Sequence, residues 1–103
     1  MNNINNEILT TYLKSIIGKL YKIIPLNEEY SNTVKTYIKS LKIELSGALS
    51  NFVVLRFDGN FMGIINTLEY LSKNEFDQEI CRREVFKCIN TIEIINRKVG
   101  EMQ

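Results

Sequence analysis

The sequence predicts an all-α protein, an antiparallel four-helix bundle forming one domain over residues 1–103. Three observations predict it. Apolar residues recur in alternating steps of three and four along four separate segments, which places each set on one stripe of a helix. No stretch sustains the alternation by two that a half-buried strand requires. The connections are only a few residues long, which makes sequential helices antiparallel neighbours.

The first helix spans roughly residues 4–24 and carries Leu9, Leu13, Ile16, Leu20 and Ile23 on its stripe. Pro25 is expected to end it, because proline lacks a backbone donor and disfavours the α conformation at Ile24. The second runs roughly 30–52, with Val34, Ile38, Leu41, Leu45, Ala48 and Phe52 as its stripe. Asn27 or Ser31 would cap it, with Glu28 and Glu29 in the first turn. The third runs roughly 59–73, its stripe read as Phe57, Phe61, Ile64, Leu68 and Leu71, with a cap at Asp58-Gly59. Ser72, Lys73 and Asn74 close it. The fourth runs roughly 77–99 on Cys81, Val85, Cys88, Ile92, Ile95 and Val99, capped by Asn74 or Asp77. Gly100 follows Arg97 and Lys98, the usual order at a helix end. The alternative arrangement is a helical hairpin that completes its core only as a dimer.

Composition narrows the function classes. The chain is 45% apolar and 24% charged, a globular balance rather than a disordered one. A net charge of +1 supplies no global field toward nucleic acid or an anionic membrane. No apolar run approaches the ~20 residues needed to cross a bilayer. The start, Met1 to Glu7, lacks the basic and apolar regions of a signal peptide, so a cytoplasmic location is expected. Abundant Ile, Asn and Lys suit an AT-rich bacterial or phage genome.

The chemistry of catalysis is sparse. There is no histidine, so the commonest general base and metal ligand is missing, together with every Ser-His or Cys-His pair. No Glu-x-x-His pair, P-loop or GxGxxG occurs. Asp58 and Asp77 sit where caps are expected. Cys81 and Cys88, seven residues apart on one helix, are separated by ~10 Å of rise and cannot pair there. They are expected to be buried thiols. No catalytic residue, cofactor or metal is therefore expected, and the protein is read as a non-enzyme.

Surface features carry the functional expectation. Phe86 and Ile94 point away from the fourth helix's stripe, two turns apart with Asn90 between them, and predict a homodimer contact. Ile80, Ile43, Met62 and Tyr70 also lie off their stripes and join the candidate interface, as do Val53, Val54 and Leu55 of the apolar run Phe52–Phe57. That run is expected to fold back over the end left open by the short third helix. A competing reading uses Lys35, Lys39 and Lys42, a row at i, i+4 and i+7, as phosphate contacts; its rival is a solvated flank. Arg82, Arg83 and Lys87 are interrupted by Glu79 and Glu84, which can pair with them.

In size and four-helix outline the chain resembles small bacterial immunity proteins and phage-encoded accessory proteins, a likeness of architecture that rests on no motif. The expected function is binding to another protein, as an accessory or immunity-type inhibitor. The alternative is a small nucleic-acid-binding regulator.

Overall fold

The structure, a computed structural model, describes residues 4–101, with side chains from Asn6 onward. The reading of Met1–Asn3 lies outside the described residues. Helix α1 (Ile4–Tyr21) is followed by α2 (Ile23–Glu29), α3 (Ser31–Asn51), the single turn α4 (Val53–Arg56), α5 (Gly59–Lys73) and α6 (Gln78–Glu101). These segments make four antiparallel rods: α1 with α2, α3, α4 with α5, and α6. No strand occurs among the described residues. The bundle measures 46 × 20 × 19 Å.

Four of the predicted stripes meet along the bundle axis. Leu13, Ile16, Leu20, Ile38, Leu45, Phe61, Leu68, Leu71, Cys81, Ile92 and Ile95 are fully buried. Ile65 and Ile89, each one residue beyond its stripe, join this core because a bundle interior covers more than a single a/d seam. Phe57 does not: it is 85% exposed. It lies in the turn before α5, so helical spacing does not carry it onto the stripe, and Leu55 takes the core position instead.

The run after α3 behaves partly as expected. Leu55 is fully buried, Phe52 and Val54 pack against the core, and Val53 and Phe57 face water. Arg56 fastens the turn by donating from Nε to the Leu49 carbonyl at 2.6 Å and from Nη2 to the Ser50 carbonyl at 3.1 Å. Those carbonyls belong to the last turn of α3, where intrahelical donors have run out.

Pro25 does not end the first rod. The helix breaks at Lys22 and resumes as α2, with Pro25 in its first turn, where a missing N–H deprives no helical bond within α2. Lys22 keeps a right-handed α conformation, φ −64° and ψ −21°, so the chain does not reverse there and α2 continues the rod. Buried Ile23 and partly buried Ile24 and Leu26 hold α2 against the core. The rod ends at Tyr30, φ −137° and ψ 59°. Neither Asn27 nor Ser31 caps α3: Tyr30 is the N-cap, without a side-chain bond, and Asn27 donates to Gln78 Oε1 at 2.6 Å. Glu28 and Glu29 accordingly close α2 instead of opening α3.

The other caps agree with the sequence. Asp58 accepts from the Asn60 and Phe61 amides, and Asp77 accepts from the Ile80 amide at 2.8 Å. Gly100 stays inside α6, and no described residue has a positive φ. Glycine permits a left-handed stop without forcing one, and buried Val99 keeps the last turn packed.

The rods do not pack equally. Helix α1 lies closely on α6, α3 on α5, and α2 on both α3 and α6, whereas α1 and α3 approach each other far less closely. A seam is left between them. Gly18 on α1 and Gly47 on α3 line it, and a Cβ at either would meet nothing within 4 Å.

Two substitutions separate core from seam. Leu13→Ala should lose roughly 2–5 kcal/mol in urea unfolding, because a buried leucine leaves a cavity. Gly18→Ala should gain about 1 kcal/mol, because nothing in the fold requires glycine there. A loss on Gly18→Ala would mean that the seam is closed.

Candidate functional site

The predicted interface residues are distributed over several faces. Phe86 and Ile94 share the outer face of α6, each 42% exposed. The structure adds a neighbour that the sequence did not single out. Tyr21, at the end of α1 and 46% exposed, packs edge-on against Phe86 with ring centroids 5.7 Å apart. This α1–α6 face is thus aromatic at one end and aliphatic at the other. Met62 and Tyr70 are exposed on α5, Ile43 on α3 and Val53 on α4. Ile80 is partly buried in the first turn of α6. Leu55 is buried and belongs to no outer face, because its turn folds inward to fill the end of the core.

The seam between α1 and α3 is bridged at one level. Lys19 Nζ sits 2.9 Å from both Glu44 carboxylate oxygens, and the Tyr12 hydroxyl donates to Glu44 Oε2 at 3.4 Å. The Tyr37 hydroxyl donates to the Lys19 carbonyl at 2.9 Å, and Tyr12 stacks on Phe52 at 5.6 Å. Burial, then the Glu44 carboxylate, push the Tyr12 phenol up to about 12, and the same causes raise Tyr37. The ion pair itself is more than a third exposed on both sides, so it contributes at most about 1 kcal/mol. It orients the two helices more than it clamps them.

Two hollows flank this bridge. One, of about 420 Å³, is lined by Ser15, Gly18, Lys22, Ser40 and Leu41 with the bridge residues. The other, of about 410 Å³, lies between Ile8 and Ile43 over Gly47, Ala48 and Phe52. Ile8 is 52% and Ile43 68% exposed, so the second hollow has apolar lips facing water. Ile8 and Tyr21 were missed by sequence reading because both adjoin stripe residues, Leu9 and Leu20, and a neighbour of a core position is ordinarily unremarkable.

The lysine row is largely committed within the fold. Lys35 donates to the carbonyls of Leu71, at 3.0 Å, and Asn74, and lies 4.8 Å from the Phe76 ring centre. It closes the C-terminal end of α5, where free carbonyls attract a cation. Lys42 meets Glu69 at 2.6 Å, and Lys73 meets the same carboxylate at 2.5 Å. Hydrogen bonds from Lys42 and Lys73 hold the Glu69 carboxyl down at about 2. Only Lys39 of the row is fully turned to solvent. On α6, Arg83 and Lys87 both pair with Glu84.

Cys81 and Cys88 are free and buried, and burial is the main cause that pushes each thiol up to about 11. They are protonated at neutral pH and are poor nucleophiles there. No group of three or more potential metal-binding side chains occurs among the described residues. No helix among them is long and apolar enough to cross a membrane. No protein-family model, curated protein or solved structure matches the chain.

Two measurements test these assignments. The folded value of Glu69 lies below the ordinary 4.5, so its pairing stabilises the fold at neutral pH. That stabilisation is lost as pH falls from about 4.5 through about 2. The advantage of wild type over Glu69→Gln in thermal unfolding should therefore vanish across that window; an advantage that persists below it contradicts the assignment. In a thiol-reagent assay, neither cysteine should react until the protein is unfolded in urea. Rapid native labelling of one thiol would show that the α6 core opens locally.

Proposed function

We propose that this protein is a non-enzymatic binding module that works by docking protein surfaces, its own second copy among them, through the α1–α6 face. The observation that carries the reading is the Tyr21–Phe86 pair with Ile94 on the same side of α6. The core is filled by other side chains, so these three are not surplus from an incomplete interior. Large apolar groups fixed together and left in water mark an interaction surface. The perturbed titratable groups support the non-enzymatic half. Glu69 is shifted by lysine pairs, Tyr12, Tyr37 and both thiols chiefly by burial, and none of them forms a nucleophile–base pair. Such a module suits the role of a small accessory or immunity-type inhibitor.

The energetics point to weak self-association. Full burial of one such side chain stabilises by roughly 1.5–3 kcal/mol, and less than half of each remains exposed here. Six partial burials across a homodimer therefore give on the order of 6 kcal/mol, against association costs of 4–15 kcal/mol. A nucleic-acid role for Lys35, Lys39 and Lys42 has less support, since two of the three hold internal partners.

Light scattering across a micromolar concentration series tests the proposal. Wild type should gain mass with concentration, and Phe86→Glu with Ile94→Glu should stay monomeric. A monomeric wild type throughout the series removes self-association. A salt-dependent mobility shift on nucleic acid that Lys39→Glu abolishes would favour the other reading.

A further inference from the structure

The α1–α6 face is small for a surface that must pair with itself. An aromatic side chain offers roughly 150–250 Å², and with less than half exposed, Tyr21, Phe86 and Ile94 present on the order of 250 Å². A standard interface buries roughly 800 Å² per partner. A ridge set into a groove covers more area than two such patches face to face, and the seam between α1 and α3 is a groove.

The two hollows of the seam lie at successive levels along α3, and only the first carries lysines. On α3, Ser40 and Leu41 line the first, while Gly47 and Ala48, seven residues later, line the second. Seven residues of helix rise about 10 Å, which is the separation of side chains at i and i+7 on a docking helix. The second hollow has apolar lips, Ile8 and Ile43, with Tyr12, Glu44 and Asn51 also in its lining. The first carries Lys19 and Lys22; Glu44 is taken by Lys19, so Lys22 is left without an ion-pair partner among the described residues. A helix that fits both must present a large apolar side chain at i and a carboxylate at i+7. Between them it must present a polar group over the Lys19–Glu44–Tyr12 bridge.

Helix α6 carries that pattern on its outer face. Phe86 and Glu93 are seven residues apart, both exposed, with exposed Asn90 between them. Glu93 forms no ion pair within the described chain. We propose that self-association is head-to-tail: the α6 face of one copy docks in the α1–α3 seam of the next, Phe86 entering between Ile8 and Ile43 and Glu93 meeting Lys22. This rests on the reading of the α1–α6 face as a docking surface and names what that face docks into. The two contacting surfaces differ, so the contact does not close on itself by a two-fold axis, and a pair of copies still has one face and one seam free.

Complementation of two variants tests it. Gly47→Leu fills the apolar hollow in open space and should fold normally; Phe86→Glu removes the ridge, and circular dichroism and thermal unfolding verify both folds. Each variant alone should be monomeric by light scattering. An equimolar mixture should form a heterodimer and stop there, because only one intact seam and one intact ridge remain. Independently, Lys22→Glu should weaken wild-type association by roughly five-fold, and Glu93→Lys in the same chain should restore it. If Gly47→Leu associates like wild type while Phe86→Glu is monomeric, the seam is not the receptor; the inference falls and the α1–α6 face stands. If the mixture stays monomeric, the inference also falls. A wild type that is monomeric throughout overturns both.

Discussion

Pro25 has no backbone N–H, so the carbonyl of Tyr21 lacks the donor that would continue α1 as a straight helix. The helix is interrupted at Lys22, and much of the molecule's geometry follows from where its two parts then pack. Helix α1 stays against α6. Helix α2 packs on both α3 and α6, with Ile23 buried and Gln78 tying it down through Asn27 and the Ile24 carbonyl. The first rod therefore packs on α3 chiefly through α2. Along α1 the joins to α3 run through the side chains of Lys19, Glu44, Tyr12 and Tyr37, and the seam opens there.

The core stays closed despite this asymmetry. Leu13, Ile16 and Leu20 are fully buried although the seam runs beside them. Their stripe points into the shared core, and α1 packs closely on α6. Around the bridge the seam is small or polar, with Ser15, Gly18, Ser40, Gly47 and the Lys19–Glu44 pair, and its apolar lips Ile8 and Ile43 lie beyond it. A glycine in a helix interior is worse than alanine by about 1 kcal/mol, and neither seam glycine is needed for a turn or for close packing. The fold thus keeps a slightly destabilising feature where α1 and α3 stand apart, as it does at Gly63 beside the hollow between α5 and α6.

Much of this architecture was legible in the sequence. The three-and-four spacing locates four rods and nearly all buried positions, since periodicity is a property of each segment alone. The misreadings share a cause. Phe57 continues the spacing numerically but precedes the helix, and Pro25 looks like a terminus though a first turn accommodates it. Lys35 and Lys42 form an exposed row on their own helix, and only the register of α3 against α5 reveals that Lys35 closes the end of α5 and Lys42 holds Glu69. The Tyr21–Phe86 pair was half visible for the same reason. Phe86 is off-stripe on α6, but its neighbour comes from α1, and no single segment encodes which residues two antiparallel rods bring level.

The same register argument bears on the candidate surfaces. Off-stripe residues read from single helices suggested one composite patch of Phe86, Ile94, Ile80, Ile43, Met62, Tyr70 and the Val53–Leu55 turn. The bundle disperses them, since α3, α5 and α6 turn different faces outward and Leu55 turns inward. Dispersal removes the simple picture of one broad sticky face. It leaves a ridge on α6 and a cleft bordered by Ile8 and Ile43, separate in the chain and unlike in shape. Convex and concave surfaces with matched spacing bury more area against each other than either can against itself, and flatness limits a three-residue ridge in any isologous contact. A small bundle that exposes both on different sides has the geometry for directional contacts, in which one side of the molecule recognises what the other presents.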